Sequence, residues 1–137
     1  IRKNIKIDIF NSSKIKTKIE LILHPIIFSE CKKQIYKYKA EKYIVIVIPL
    51  LFETENYLKL IDESLFIDCN EDIQFKRVSY RDKLDESLIK SIINSQLSRD
   101  QKIKKADKII KNNHSKALLK DEIYQFHNEL QLRIDRK

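Results

Sequence analysis

Apolar residues follow two patterns along this chain. In some stretches they recur every three or four positions, the spacing of one helix face. Elsewhere they run together with no polar alternation, as in a strand buried on both sides. Ile15, Ile19 and Ile22 predict a helix over 13–23, with Ser12 or Ser13 as its cap. His24-Pro25 predicts a break, because proline disfavours a helical residue before it and suits the first turn of a new helix. Ile27, Cys31, Ile35 and Tyr38 then stripe a second helix. Residues 43–48 contain five consecutive β-branched residues, Ile44 to Ile48, and read as a strand. A short helical stretch over 54–61 leads to a second strand, "SLFIDC", over 64–69. Asn70 is the expected cap of a helix reaching about Tyr80, with Glu71 and Asp72 in its first turn, where the helix dipole favours acids. Residues 85–97 are amphipathic through Leu88, Ile89, Ile92 and Ile93. "SRDQ", 98–101, is a capping-box pattern that opens a further helix. Residues 107–112 give a third strand. A long helix from Ser115 carries Leu119, Ile123, Phe126, Leu130 and Ile134.

Strands alternating with helices predict an α/β fold with a parallel sheet. Ligands of such sheets sit beyond the carboxyl ends of the strands. Those ends are Pro49 to Glu53, Asp68 to Asn70, and Asn112-Asn113. Two readings of Glu53 stand on pattern alone. It is a site residue at the mouth of a buried strand, or it is an acid opening a helix.

Composition narrows the picture. The chain has 137 residues, one domain's worth, with 42% hydrophobic and 35% charged residues. Its net charge of +8 suits an anionic partner: nucleic acid, membrane headgroups or a phosphorylated small molecule. Cys31 and Cys69 form no CxxC pattern, which points to a reducing compartment and away from zinc. The longest apolar run, Ile44 to Phe52, is too short to span a bilayer, and "IRKNIKIDIF" has no signal-peptide core. There is no glycine at all, so no Gly-rich phosphate loop lies within these residues.

Four motifs then occur in order: "LHPII" at 23–27, "IPLLFE" at 48–53, "CNEDIQFKRVSYRD" at 69–82 and "SQLSRDQKIKKADKIIKNN" at 95–113. In this order and spacing the sequence resembles the dephospho-coenzyme A kinases, from about Arg2 to Leu130. That family is made of P-loop kinases that phosphorylate the ribose 3′-hydroxyl of dephospho-coenzyme A with ATP and magnesium. The resemblance implies a three-layer P-loop NTPase fold of the nucleotide-kinase kind with a helical lid, incomplete at the N-terminus. It implies coenzyme-binding helices over 12–42, core strands and a helix over 43–82, a lid over 83–105, and a last strand with the C-terminal helix over 106–137. It also implies that the catalytic P-loop lysine and the general-base aspartate lie upstream of this chain.

The same resemblance suggests roles for individual residues. Gln74, Arg77 and Arg81 match a Q-x-x-R-x-x-x-R that begins the lid, with Arg81 first and Arg77 second as ligands of ATP phosphates. Lys102, matched together with Gln96, reaches phosphate as the lid closes. Asn112 and Asn113 face the adenine, although His114 stands where relatives carry glycine and brings a cost if the loop needs a positive φ. His24, Leu50 and Glu53 belong to the acceptor pocket. Val47 replaces an aspartate that many relatives carry near magnesium, leaving Glu53 and upstream carboxylates to organise the ion. No metal ligand is assigned within the chain itself.

The expected partners are therefore ATP and dephospho-coenzyme A, with neither nucleic acid nor membrane, and the expected location is the cytoplasm. The alternatives are a different nucleoside or nucleotide kinase, a basic nucleic-acid-binding module, and a non-catalytic remnant. The isolated chain is expected to be inactive, and the Ile44–Ile48 edge to be aggregation-prone without neighbouring strands.

Overall fold

The computed structural model describes residues 13–136. Residues 1–10, part of the resemblance, and Ser12, a candidate cap, lie outside that range. The chain divides into two units, 1–46 and 47–137.

In the first unit one helix, α1 (Ser13–Lys37), runs straight through Pro25. The predicted break at His24-Pro25 is not there. A proline inside a helix removes one hydrogen bond, here to the carbonyl of Leu21. Leu21 is 71% exposed, so water can take that carbonyl, and the turns on either side carry the helix on. Residues 43–48 are not a strand. A strand exists through its ladder, and β-branched residues alone do not supply one. Val45 and Val47 remain 74% and 89% exposed.

The second unit opens with a 3-10 turn, Leu51–Glu53, and one helical turn, α2 (Glu55–Leu58). β1 (Leu65–Asp68) follows, then α3 (Glu71–Asp82), α4 (Glu86–Asn94), α5 (Arg99–Lys105), β2 (Lys108–Lys111) and α6 (Lys116–Ile134). β1 and β2 pair in parallel, with Leu65 opposite Lys108 and Asp68 opposite Lys111. The ladder extends one bond at each end, Lys108 N to Ser64 O and Asn112 N to Asp68 O. The expected parallel pairing is therefore present, although the sheet has two strands among the described residues.

The core is small. Tyr57, Ile89 and Ile110 are the buried apolar residues among those described. Polar groups do as much to hold the unit together. Ser64 sits just before β1 and Asp107 just before β2. Asp107 Oδ2 accepts from both the Ser64 amide (2.8 Å) and its hydroxyl (2.6 Å), and the Asp107 amide donates back to Ser64 Oγ. These bonds lock the start of the two strands.

The capping box at Ser98 and Gln101 forms as predicted, and Ser115 caps α6 through the Leu118 amide. Asn70 occupies the cap position of α3 but makes no side-chain cap bond. Its amide group is spent on Asn113 instead. The absence of glycine shows most clearly at the end of α3. Lys83 takes the left-handed position there (φ 50°), usually a glycine's, and donates its amide to Ser79 O. Lys83→Gly should therefore stabilise the chain by about 1 kcal/mol, read from urea unfolding. A loss of stability would show that the lysine stem contributes packing that outweighs its backbone cost.

Candidate functional site

β1 ends on an acid. Asp68 is 1% exposed, and a carboxylate so deeply buried requires a cation. Arg99, the first residue of α5, supplies it with two parallel bonds, Nε to Oδ1 and Nη2 to Oδ2, each 2.6 Å. The Arg99 side chain keeps 36% of its exposure, so the guanidinium reaches from solvent into the end of the sheet. The Arg99 bonds hold the Asp68 carboxyl below its ordinary range, against the opposing effect of burial. Asp68 in turn raises the Arg99 pKa.

One turn further along α5, Lys102 Nζ donates to Gln96 Oε1 at 2.7 Å and lies 3.9 Å from Glu53 Oε1. Both charged side chains are largely withdrawn from water, at 16% and 20% exposure. Glu53 Oε1 also accepts the Leu97 amide at 3.0 Å. Glu53 thus grips the turn between α4 and α5, as Arg99 grips the end of β1. A groove of about 310 Å³ opens here, lined by Phe66, Gln74, Gln96, Leu97, Arg99 and Lys102 among others.

Beyond β2 a second cluster forms. Asn113 Oδ1 accepts the Asn70 amide at 2.8 Å, and Asn113 Nδ2 donates to Asn70 Oδ1 at 3.2 Å. Arg77 donates from Nη1 to Asn112 O at 2.7 Å and from Nη2 to His114 O at 3.3 Å. Among the described residues only Lys83 has a positive φ outside glycine, so His114 carries no backbone cost.

The structure thus brings together Glu53, Lys102 and Gln96, and separately Arg77, Asn112 and Asn113. Gln74 lines the groove. Leu50 is half-buried and precedes the 3-10 turn. Arg81 joins neither cluster; its fork binds the neighbouring Asp82 at 2.9 and 2.7 Å, and its side chain is 73% exposed. His24 lies exposed on α1, in the other unit. Asp68 and Arg99 were not picked out as a pair from the sequence. The available signal was an acid closing a buried strand, which demands a cation, and an arginine within a capping box.

A larger hollow, about 470 Å³, lies at the opposite ends of the strands, near Glu63, Asp107 and Lys108. Four of its charges form two pairs, Arg133 with Glu63 at 2.7 Å and Lys108 with Glu129 at 3.1 Å.

The depressed Asp68 carboxyl fixes the sign of a pH effect. The unfolded chain takes up this proton at a higher pH than the folded one, so the pair contributes fully above the ordinary pKa of 3.8 and fails as pH falls through the lower folded value. Asp107, lowered by the Ser64 hydroxyl and amide, adds a contribution of the same sign. Asp68→Asn should lower the neutral-pH melting temperature by roughly 10 °C and flatten, without abolishing, the loss of stability below about pH 4. Identical acid limbs in the two proteins would contradict the assignment.

Comparison with known proteins bears on the same residues. The family model for dephospho-CoA kinase matches residues 1–117. The chain is similar to the dephospho-CoA kinase of Nitrosomonas europaea, 34% identical over 121 residues, which are 88% of this chain and 59% of that protein. It is 37% identical over 132 residues to that of Mannheimia succiniciproducens, 96% of this chain and 61% of that protein. The solved structure of dephospho-CoA kinase from Campylobacter jejuni superposes with a TM-score of 0.64 at 32% identity, covering 95% of this chain and 65% of that one. The chain therefore spans about three-fifths of the length of the curated relatives it matches. The α/β P-loop kinase fold expected from the motifs is shared with that neighbour. With most of its length matched by the family model, the chain belongs to the dephospho-CoA kinase family.

Proposed function

We propose that this chain serves phosphoryl transfer from ATP to the ribose 3′-hydroxyl of dephospho-coenzyme A, in the cytoplasm. One observation carries the reading beyond family membership. Beside the carboxyl end of β1 lies a groove with Arg99 and Lys102 on its wall, each braced by a carboxylate, Asp68 and Glu53. Phosphoryl transfer calls for fixed positive charge around the moving group and little covalent chemistry. Lys102 meets that need: with one hydrogen bond to Gln96 and Glu53 only at 3.9 Å, it keeps donor capacity for a phosphate oxygen. Loop 112–114 stands at the base end of the nucleotide. Arg81, exposed and paired only with Asp82, is free to exchange that partner for phosphate. His24, Leu50 and Glu53 are assigned to the acceptor side on the resemblance alone.

Magnesium accompanies ATP in this reading, but the described residues do not build a site for it. Among them no group of three His, Cys, Asp or Glu side chains converges, and Glu53 and Asp68 are each engaged by a cation. No step is assigned to the ion through these residues. No described helix is long and apolar enough to cross a membrane.

The chain has no glycine to build a phosphate-cradling loop. These 137 residues alone should therefore release no ADP from ATP and dephospho-coenzyme A. Joined to the P-loop segment of a dephospho-CoA kinase, they should do so, and Lys102→Ala in that chimera should lower kcat/KM by about 100-fold. Turnover by the chain alone, or a folded chimera without turnover, would contradict the proposal.

A further inference from the structure

Arg77 has donors that suit phosphate, yet both ends of its fork point at one backbone loop. Nη1 holds the Asn112 carbonyl and Nη2 the His114 carbonyl, from a helix 35 and 37 residues earlier in the chain. The two carbonyls belong to alternate residues of a single turn. A planar guanidinium spans them, whereas a lysine ammonium acts as a point charge. Nη1 also lies 3.8 Å from Cys69 Sγ, at the end of β1. From the same end of β1, Asn70 holds Asn113 by two reciprocal bonds. The loop after β2 is thus tied to β1 and to α3 at once.

Such ties are what a chain without glycine needs at this point. Loops of this kind commonly take their shape from a residue with positive φ. Here no described residue of the loop has one, and His114 follows Asn113 with an ordinary backbone. The turn is shaped from outside, by donors on neighbouring elements.

We propose that Arg77 is a positioning residue: by clamping the carbonyls of Asn112 and His114 it fixes the loop that forms the base end of the nucleotide site, and it is not a phosphate ligand. The functional half of this assignment rests on the nucleotide reading given above; the clamp itself does not.

Amide hydrogen exchange on the nucleotide-free 137-residue chain tests the clamp alone. The probe is the Asn70 amide, which bonds Asn113 and which Arg77 does not touch. Arg77→Met removes the donors and keeps an apolar stem. It should speed Asn70 exchange at least about tenfold while the β1 and β2 amides keep their protection. Arg77→Lys, which keeps the charge without the fork, should give an intermediate rate and serves if the methionine variant does not fold. Unchanged Asn70 exchange in either folded variant would overturn the clamp. So would a matching loss across both strands, which would make Arg77 a general stabiliser.

Binding then tests the functional half. ATP should bind Arg77→Met about tenfold more weakly than the parent chain, while inorganic tripolyphosphate binds both equally. An equal loss for both probes would make Arg77 a phosphate ligand and overturn the assignment. Failure of the parent chain to bind ATP would remove the nucleotide reading, and with it the functional half, while the exchange result still decides the clamp.

Discussion

A carboxylate at the buried end of a strand sets the arrangement of the second unit. Asp68 is 1% exposed, and Arg99 stabilises its charge there with two charge-assisted bonds, the largest of the favourable contributions to it. That requirement fixes where α5 must begin. The capping box at Ser98 and Gln101 starts the helix at that residue, so backbone and charge agree on one position. Lys102 follows one turn later and is thereby delivered to Gln96 and Glu53. Glu53 completes the frame by holding the Leu97 amide in the turn before α5. The groove at the carboxyl end of β1 is a consequence of these ties more than of apolar packing, since three buried hydrophobic residues make up the core among those described.

The second consequence concerns backbone freedom. Without glycine the chain has two ways to make a sharp change of direction. At Lys83 it accepts a left-handed lysine. After β2 it avoids a positive φ and lets Arg77 and Asn70 hold the loop from outside. Both solutions involve the same helix, with Arg77 inside α3 and Lys83 capping its C-terminus. A guanidinium committed to backbone carbonyls is a different component from one kept free for phosphate. Arg81, four residues on, remains exposed beside Asp82.

Local signals in the sequence proved reliable where local physics decides. The strands expected over 64–69 and 107–112 form over 65–68 and 108–111, and the Ser98–Gln101 box and the Ser115 cap also appear in the structure. Signals that need a partner did not. Ile44 to Ile48 have strong strand propensity but no ladder, because propensity reports a fit to a sheet and does not create one. Pro25 read as a break, yet losing one hydrogen bond on an exposed turn left α1 continuous. Asn70 read as a cap, but its side-chain oxygen accepts from Asn113 Nδ2, 43 residues away, and its backbone amide donates to Asn113 Oδ1. The Asp68–Arg99 pair spans 31 residues, and no periodicity encodes that distance. The family motifs pointed to Lys102, Glu53 and Arg77; what each one touches is decided by the fold.

In the proposed function the groove at the carboxyl end of β1, framed by Asp68–Arg99 and Glu53–Lys102, receives the nucleotide. A titration of the 15N-labelled chain with ATP tests it most directly. Shifted amides should gather at residues 96–102 and 112–114. Shifts concentrated instead around Glu63, Glu129 and Arg133, at the opposite ends of the strands, would contradict it, as would no shift at any ATP concentration.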